Sequence, residues 1–220
     1  MAMEKAAVPG RLDRRKARTR AALVTSAREM LAREGGTDAS IQEITERADV
    51  GLGSFYNHFA SKAELFEAAL ADTLEEHGAL LDEIAKGFDD PAEVFAMGLR
   101  LTLRLHRTHP QIAKIMQQRG FKYLLADNGL APRAMRDLQA AADAGRLSIG
   151  DPQIALACTG GALLGASQLL AQSPEASAAG VADELAVNVL RMFGLPHDEA
   201  REVASRPLPQ LWSADSTDRR

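Results

Sequence analysis

Cysteine and aromatic residues are scarce in this sequence of 220 residues. The single cysteine, Cys158, excludes an internal disulfide framework. The segment from Met1 to Gly10 contains no apolar run of the kind that secretory signals have. Aromatic residues make up only 5% of the chain, whereas Ala and Leu recur throughout. Because unbranched side chains lose little rotamer freedom in a helix, we expect an all-α protein, located in the reducing cytoplasm.

Positive charge is not in excess overall, since 26 Lys or Arg residues stand against 30 Asp or Glu residues. The distribution is uneven, however. The first 62 residues carry 11 basic and 8 acidic side chains, and the remainder carries 15 and 22. Six basic residues and one acid lie between Arg11 and Arg20. This segment is suited to binding a polyanion, although a solvated, disordered arm has the same composition.

The sequence also lacks the motifs of the common enzyme classes. It has no Walker loop, no dinucleotide-binding glycine fingerprint and no nucleophile elbow. His106 and His109 have the spacing of a metal pair, but His109 stands at a predicted helix end, where interaction with terminal carbonyls is the simpler interpretation. Cys158 has no cationic neighbour, so we expect a buried structural thiol. We predict no catalytic residue, no metal and no cofactor.

Apolar periodicity and capping residues divide the chain into helices. A first helix is predicted from Arg14 to about residue 34, and Ser40 opens a second through a capping box with Glu43. A short third helix covers about 52–59. The later predicted helices, most of them bounded by proline, cover about 61–86, 91–109, 111–119, 133–144, 151–172, 179–193 and 197–205. The predicted organisation is a disordered basic arm (1–13), a compact helical head (14–60), a helical body (61–205) and a tail (206–220).

Residues 52–59 are the most informative segment. Three apolar side chains fall on one side of their helical wheel, which we expect to be buried: Leu52, Phe55 and Phe59. The opposite side is short, polar and uncharged: Gly53, Ser54 and Asn57. Tyr56 and His58 project from the flanks. The head is thus either a small helical hairpin with a polar surface or a DNA-reading element.

A face of this kind fits the major groove of DNA, which is about 12 Å wide and admits one helix. Asn57 can bind adenine through two hydrogen bonds, and Gly53 allows close approach of the backbone. Lys62 adds a point charge at the start of the next helix. The free N–H groups at the starts of the second and fourth helices, the former at Ser40, are natural phosphate sites.

The segment from Ile44 to Leu65 reads ITERADVGLGSFYNHFASKAEL and resembles the helix-turn-helix signature of the TetR family of transcriptional regulators. With the first helix, the resemblance covers about residues 14–66. It implies a homodimer on a palindromic operator of double-stranded DNA, usually a repressor released by a small-molecule ligand. The implied groove-facing residues are Leu52, Gly53, Ser54, Asn57 and His58. The implied phosphate-contacting residues are Thr19, Ser40, Tyr56 and Lys62.

Two positions depart from the family pattern. Thr45 stands where Ala is usual, and its extra volume is expected to alter the angle between the second and third helices. Asp49 stands in the turn where Gly is usual. Asp tolerates the left-handed conformation better than most residues, so we expect the turn to form.

Residues 153–174 contain no charged side chain, so a transmembrane helix must be considered. Its glutamines, hydroxyls and glycines cancel most of the insertion energy of its Leu and Ile residues, and we predict no membrane insertion. Pairing of this helix and the next with their copies in a second subunit, as in the TetR family, explains the pattern better, although tight packing within one subunit remains an alternative. The predicted interface residues are Gly160, Gly161, Gly165, Leu185, Val189 and Met192.

The region 65–145 is the place for a ligand cavity under the family resemblance. Its apolar residues are suited either to line such a cavity or to form ordinary core: Phe95, Leu99, Leu101, Leu103, Leu105, Ile112, Ile115, Met116, Phe121 and Tyr123. A stripe of Arg100, Arg104 and Arg107 is expected to be a solvated helix face. The sequence does not identify the ligand, which we expect to be largely apolar.

Overall fold

The structure is a computed structural model that describes residues 10–33, 35–119, 127, 129–173 and 175–209. Regular secondary structure in these ranges is helical throughout, which confirms the predicted all-α class. The chain separates into two compact units, Met1–Leu70 and Ala71–Arg220. The division falls inside a long helix, whereas the sequence placed the boundary just before that helix.

The first unit contains three helices and the start of a fourth. These are α1 (Arg11–Leu31), α2 (Ile41–Arg47), α3 (Leu52–Phe55) and α4 (Lys62–Ala85), with a single 3-10 turn (Gly36–Asp38) between α1 and α2. Helix α1 begins within the predicted disordered arm, because Asp13 accepts a hydrogen bond from the N–H of Gly10 and caps the first turn. Residues 1–9 of that arm lie outside the described residues.

The predicted capping box at the start of α2 is present. The Ser40 N–H donates to Glu43 Oε2 at 2.6 Å, and the Glu43 N–H donates to Ser40 Oγ at 3.2 Å. The backbone hydrogen bond, followed by the Ser40 side chain, holds the pKa of Glu43 below its ordinary value. Helix α2 packs on α1, where Arg47 pairs with Glu29 at 2.8 Å. The apolar side chains between them are fully buried, among them Leu23, Leu31 and Ile44.

The second unit continues α4 and adds six helices among the described residues. They are α5 (Pro91–Thr108), α6 (Pro110–Arg119), α7 (Leu130–Asp143), α8 (Pro152–Gln172), α9 (Ala178–Met192) and α10 (His197–Ser205). Asp90, Asp151 and Ser177 cap α5, α8 and α9 through their side chains. Helix α7 begins three residues before the predicted start. The predicted tail is described only for 206–209.

The core of the second unit joins α5, α7, α8, α9 and α10. Phe95 and Phe193 meet there with ring centroids 6.4 Å apart. At its edge Arg146 pairs with Asp90 at 2.9 Å and with Glu199. These bonds connect the loop after α7 to the starts of α5 and α10. Ion pairs as well as apolar contacts therefore hold these three elements together.

Two predictions about polar residues in this unit are wrong. Arg100 of α5 is 5% exposed rather than solvated, because α9 and the segment after α10 cover it. Cys158 is exposed rather than buried, because it lies on a side of α8 that no described helix covers.

Candidate DNA interface and ligand cavity

The segment 52–59, the candidate reading segment, is anchored by two phenylalanines, as predicted. Phe55 and Phe59 are buried, and their ring centroids are 6.0 Å apart. Helix α3 itself has a single turn, and the chain continues in turns from Tyr56 to His58. The guanidinium carbon of Arg20 lies 5.2 Å from the centroid of the Phe59 ring, so α1 holds the segment from one side.

The polar side of this segment is exposed at Gly53 and Asn57. A Cβ added at Gly53 would meet no atom within 4 Å, so the backbone there is open to an approaching partner. Ser54 and His58 are half-buried. Leu52 was expected on the buried side of the wheel but is 51% exposed, because α3 begins at this residue and no preceding turn covers it. Its exposure agrees with the groove-facing position that the family resemblance implies.

The turn between α2 and α3 accommodates both departures from the family pattern. Asp49 adopts the left-handed conformation with φ 53°, as predicted. Among the described residues, no other non-glycine residue has a positive φ. The turn closes through a hydrogen bond from the Val50 N–H to the Thr45 carbonyl at 3.0 Å. Thr45 is buried, and its hydroxyl is satisfied by the Gln42 carbonyl at 2.9 Å.

The residues predicted to contact phosphate have different surroundings. Tyr56 is exposed, with its ring edge against Phe55. Thr19 is half-buried, and the Ser40 hydroxyl serves the capping box of α2. The Lys62 ammonium donates to the Ala39 carbonyl at 2.9 Å. Lys62 therefore connects the start of α4 to the segment before α2, and an ammonium has two further N–H donors.

The second unit contains a largely apolar cavity of about 150 Å³. Helices α4, α5, α7 and α8 and the start of α6 line it. Five residues that the sequence suggested for a cavity or the core are in its wall: Phe95, Leu99, Leu103, Leu105 and Ile112. Leu101 and Ile115 are not, and the side chains of Met116, Phe121 and Tyr123 lie outside the description. Gly160, which was predicted at the dimer interface, also lines this cavity.

One end of the cavity is charged. Asp82 of α4 accepts from Arg133 at 2.8 Å, and its second oxygen lies 2.8 Å from Arg136. Arg136 also pairs with Asp137 at 2.7 Å. All four side chains line the cavity. The apolar cavity therefore offers both hydrogen-bond acceptors and donors at a single end.

The two carboxylates of this cluster have opposite pKa shifts. Burial raises the pKa of Asp82, but its pairing with Arg133 and Arg136 outweighs burial and leaves the pKa below its ordinary value. Burial also raises the pKa of Asp137, and there it outweighs the pairing with Arg136. Asp82 is thus a permanent acceptor at neutral pH, whereas Asp137 is the carboxylate that accepts a proton more readily.

A buried histidine lies beside the cavity. His77 is 5% exposed; its Nε2 lies 3.4 Å from the hydroxyl of Thr102, and Thr102 lines the cavity. Its Nδ1 has no hydrogen-bond partner among the described residues. Burial, with a smaller contribution from nearby His109, lowers the pKa of His77 to about 4. The imidazole is therefore neutral at physiological pH.

Sequence reasoning missed the charged cluster. Arg133, Arg136 and Asp137 share one face of α7 by their spacing, and that pattern was the available signal. Asp82 is 51 residues earlier than Arg133, and only the packing of α4 on α7 brings the two together.

The helices predicted to form a dimer present an uncovered apolar surface on α8. Its exposed or half-exposed residues include Ile154, Cys158, Gly161, Gly165 and Leu169. On α9, Met192 is 49% exposed and Leu185 is half-buried. Val189 is 2% exposed within a single chain, because it packs in the core, so it has no surface left for a second subunit.

Helix α8 is long and apolar enough to cross a membrane by length and composition alone, with 28% of its most apolar window buried. Such a helix also occurs in proteins that do not enter membranes, where another protein surface covers it. The exposed face is rich in small residues, which permit close approach of a second helix. Length and composition therefore do not separate these two cases.

Both units of the chain match known protein families. The family described as bacterial regulatory proteins, tetR family, matches residues 23–69, and the tetracyclin repressor-like C-terminal domain matches residues 90–206. The crystal structure of RolR in complex with its ligand resorcinol is 35% identical, with a TM-score of 0.74, and the match covers 90% of this chain and 98% of that one. RolR without ligand is 39% identical, with a TM-score of 0.75 and coverage of 87% and 100%.

More distant structures share the fold. The complex of SmeT with triclosan is 23% identical, with a TM-score of 0.55 and coverage of 87% of this chain and 99% of that one. No curated protein sequence matches this chain significantly. The two matched families cover the reading segment and every cavity-lining helix except the lining part of α4. The chain therefore belongs to the TetR family of bacterial transcriptional regulators.

Proposed function

We propose that the protein is a cytoplasmic repressor that binds a palindromic operator as a homodimer and leaves it when a small hydroxylated aromatic compound enters the cavity. Members of the TetR family bind DNA, form dimers and bind small molecules. The observation that carries the ligand class is the charged cluster of Asp82, Arg133, Arg136 and Asp137 at the end of an apolar cavity.

Two features support the DNA-reading part of the proposal. Asn57 and Gly53 are exposed, and the opposite side of the same segment is anchored in the core by Phe55 and Phe59. The proposed groove-facing residues are Leu52, Gly53, Ser54, Asn57 and His58, and the proposed phosphate contacts are Thr19, Ser40, Tyr56 and Lys62. One such segment is small, so affinity requires two heads bound about 34 to 36 Å apart on successive turns of the duplex.

The apolar surface of α8 supports a homodimer. Gly161 and Gly165 have open space where a Cβ would be, and Leu169 of α8 and Met192 of α9 are exposed. A second copy of α8 and α9 covers this surface in a four-helix arrangement. Leu185 contributes at its exposed edge, whereas Val189 supports the interface only from the core.

The shape and chemistry of the cavity support the ligand class. A cavity of about 150 Å³ lined by apolar side chains is large enough for a benzene ring. A ring hydroxyl can donate to Asp82 Oδ1, a buried oxygen without a hydrogen-bond partner among the described residues, and a plain hydrocarbon cannot. RolR, the 35% identical relative, was crystallised with resorcinol, a compound of this class.

We propose that α4 transmits ligand binding in the cavity to operator affinity. It begins at Lys62, and its later turns provide Leu74, Leu81 and Asp82 to the cavity wall. A ligand that binds better when α4 has shifted lowers operator affinity by its differential affinity for the two states. The expected coupling is about 1–3 kcal/mol, which is roughly 5-fold to 150-fold in operator affinity.

The decisive experiment selects bound sequences from random duplex DNA with the purified full-length chain, and then titrates resorcinol into the complex. Enrichment of a palindrome and its release by resorcinol support the proposal. The variant Asp82→Asn should weaken release without changing the selected sequence, with Asp143→Asn, an exposed position on the same bundle, as the matched control. Failure to enrich any sequence contradicts the DNA-binding proposal, and enrichment without release contradicts the ligand class alone.

A separate measurement addresses the uncovered face of α8. Sedimentation without detergent should give a soluble species of twice the 23.6 kDa chain mass. Leu169→Glu should shift it toward the monomer, whereas Ser205→Glu on α10 should not. A chain that partitions into membranes, or a monomeric wild type, contradicts this part of the proposal.

A further inference from the structure

Four arginines share one face of the first turns of α1. Arg11, Arg14, Arg15 and Arg18 follow the i, i+3, i+4, i+7 spacing that aligns side chains on a helix, and all four are exposed. The same face continues to Thr25, which is exposed. The buried residues of α1 begin only at Leu23 and lie on its other side.

This arginine face carries no neutralising acid. The acid of the segment, Asp13, is used at the helix start, where it accepts from the Gly10 N–H at 3.2 Å. In the described part of the chain, none of the four guanidinium groups forms an ion pair. Like charges at i, i+4 on a helix repel each other, so the arrangement lowers helix stability until an anion covers it.

The position of the arginine face indicates that it binds the same polyanion as the reading segment. Arg20 lies against Phe59, at the end of the segment that carries Asn57. The turns of α1 that carry the arginine face immediately precede this contact in the helix. They also precede residue 23, where the match to the family begins, so the family match does not account for them.

We infer that the arginine face of Arg11, Arg14, Arg15 and Arg18 is a second DNA-binding surface, which holds backbone phosphates of the duplex flanking each half-site. The inference rests on the proposed function, because it presupposes that the head binds DNA. Guanidinium groups bind phosphate oxygens through paired hydrogen bonds and carry no sequence information at that position. This surface therefore adds affinity and salt dependence but leaves base preference to the segment around Asn57.

The test compares two double variants of equal charge change in the full-length chain. Arg14→Gln with Arg18→Gln removes half of the arginine face, and Gln keeps a helix propensity similar to that of Arg. Lys86→Gln with Arg201→Gln removes two exposed charges from the second unit. Affinity for the selected operator in a long duplex is measured from 50 to 200 mM salt.

The arginine variant removes two arginines from each subunit, so the dimer loses up to four phosphate contacts. At about 0.9 for each contact, the slope of log K against log salt should become shallower by up to about 3.6. Affinity at 50 mM salt should fall by about tenfold or more, and the ranking of operator variants should stay unchanged. The control should keep the wild-type slope. Trimming the duplex to the two half-sites should remove the difference between wild type and the arginine variant.

Equal slopes for the two double variants overturn the inference, provided that the wild type still selects its palindrome. The inference also fails if the arginine variant keeps its DNA slope but loses binding to vesicles of acidic phospholipid, which would assign the face to membranes. A wild type that binds no DNA in a salt-dependent way contradicts the proposed function instead, so the two failures are distinguishable.

Discussion

Arg100 Nε of α5 donates a hydrogen bond to Asp183 Oδ1 of α9 at 2.7 Å, across 83 positions of sequence. The same guanidinium donates to the Arg206 carbonyl at 2.8 Å, and Arg104 approaches the same Asp183 oxygen at 3.1 Å. Helix α5 also lines the cavity, and α9 belongs to the proposed dimer interface. The pair thus connects α5, which lines the cavity, to α9 of the proposed interface, with only the Arg100 side buried.

Removal of Asp183 should be strongly destabilising. In Asp183→Ala the buried Arg100 charge loses its carboxylate, a change that typically costs about 3–5 kcal/mol for a buried pair. Because Asp183 itself is partly exposed, we expect about 3 kcal/mol, measured by urea denaturation. The neighbouring exposed Glu184→Ala should stay within about 0.5 kcal/mol of wild type. Equal losses for the two variants would show that the pair contributes little.

The reading face predicts a change in base preference rather than in overall affinity. Asn57→Ala should relax selection at one base position of each half-site by about 1–3 kcal/mol, because the proposed two-bond contact to one base edge would be lost. The comparison variant is Lys62→Ala, which should weaken all sequences by a similar factor. Selection from random DNA measures both. An unchanged sequence profile for Asn57→Ala would remove that residue from the reading face.

The left-handed turn at Asp49 predicts an order of stability. Glycine adopts φ near +53° without a side-chain penalty, so Asp49→Gly should raise the free energy of unfolding by about 0.5–1 kcal/mol. Asp49→Ala should lower it by about 1 kcal/mol, since Ala adopts the left-handed region less readily than Asp. Thermal unfolding of the three proteins measures the order, and a more stable Ala than Gly variant would contradict it.

The buried His77 predicts a loss of stability in mild acid. Its folded pKa of about 4 lies below the ordinary value of 6.5, so between these values the unfolded chain binds the proton and the folded chain does not. The free energy of unfolding should therefore fall as pH drops from about 6.5 to about 4, by about 3 kcal/mol in total. His77→Gln should lose about 3 kcal/mol less than wild type across that pH range, measured by urea denaturation.

The matched control for that experiment is His197→Gln, which removes an exposed imidazole from the start of α10. It should leave the acid dependence of wild type in place. If His77→Gln retains the same dependence as this control, the proton is taken up elsewhere and the assignment to His77 is wrong.

The helices and the reading segment could be predicted from the amino-acid order alone, because capping and helical periodicity act between residues three or four apart. The capping box at Ser40 and the buried side of Phe55 and Phe59 follow from such local rules, whereas the left-handed turn at Asp49 was expected from the family resemblance. Leu52 was misjudged because a helical wheel assumes a helix longer than the single turn that forms.

Which polar groups meet depends instead on the packing of distant helices. Arg100 was expected in solvent, and it is buried because α9 and the segment after α10 bring Asp183 and the Arg206 carbonyl to it. Asp82 meets Arg133 because α4 packs on α7, and Val189 faces the core because α5 and α10 cover α9. Periodicity within one helix carries no information about the neighbour that will cover it, so these contacts became visible only in the folded chain.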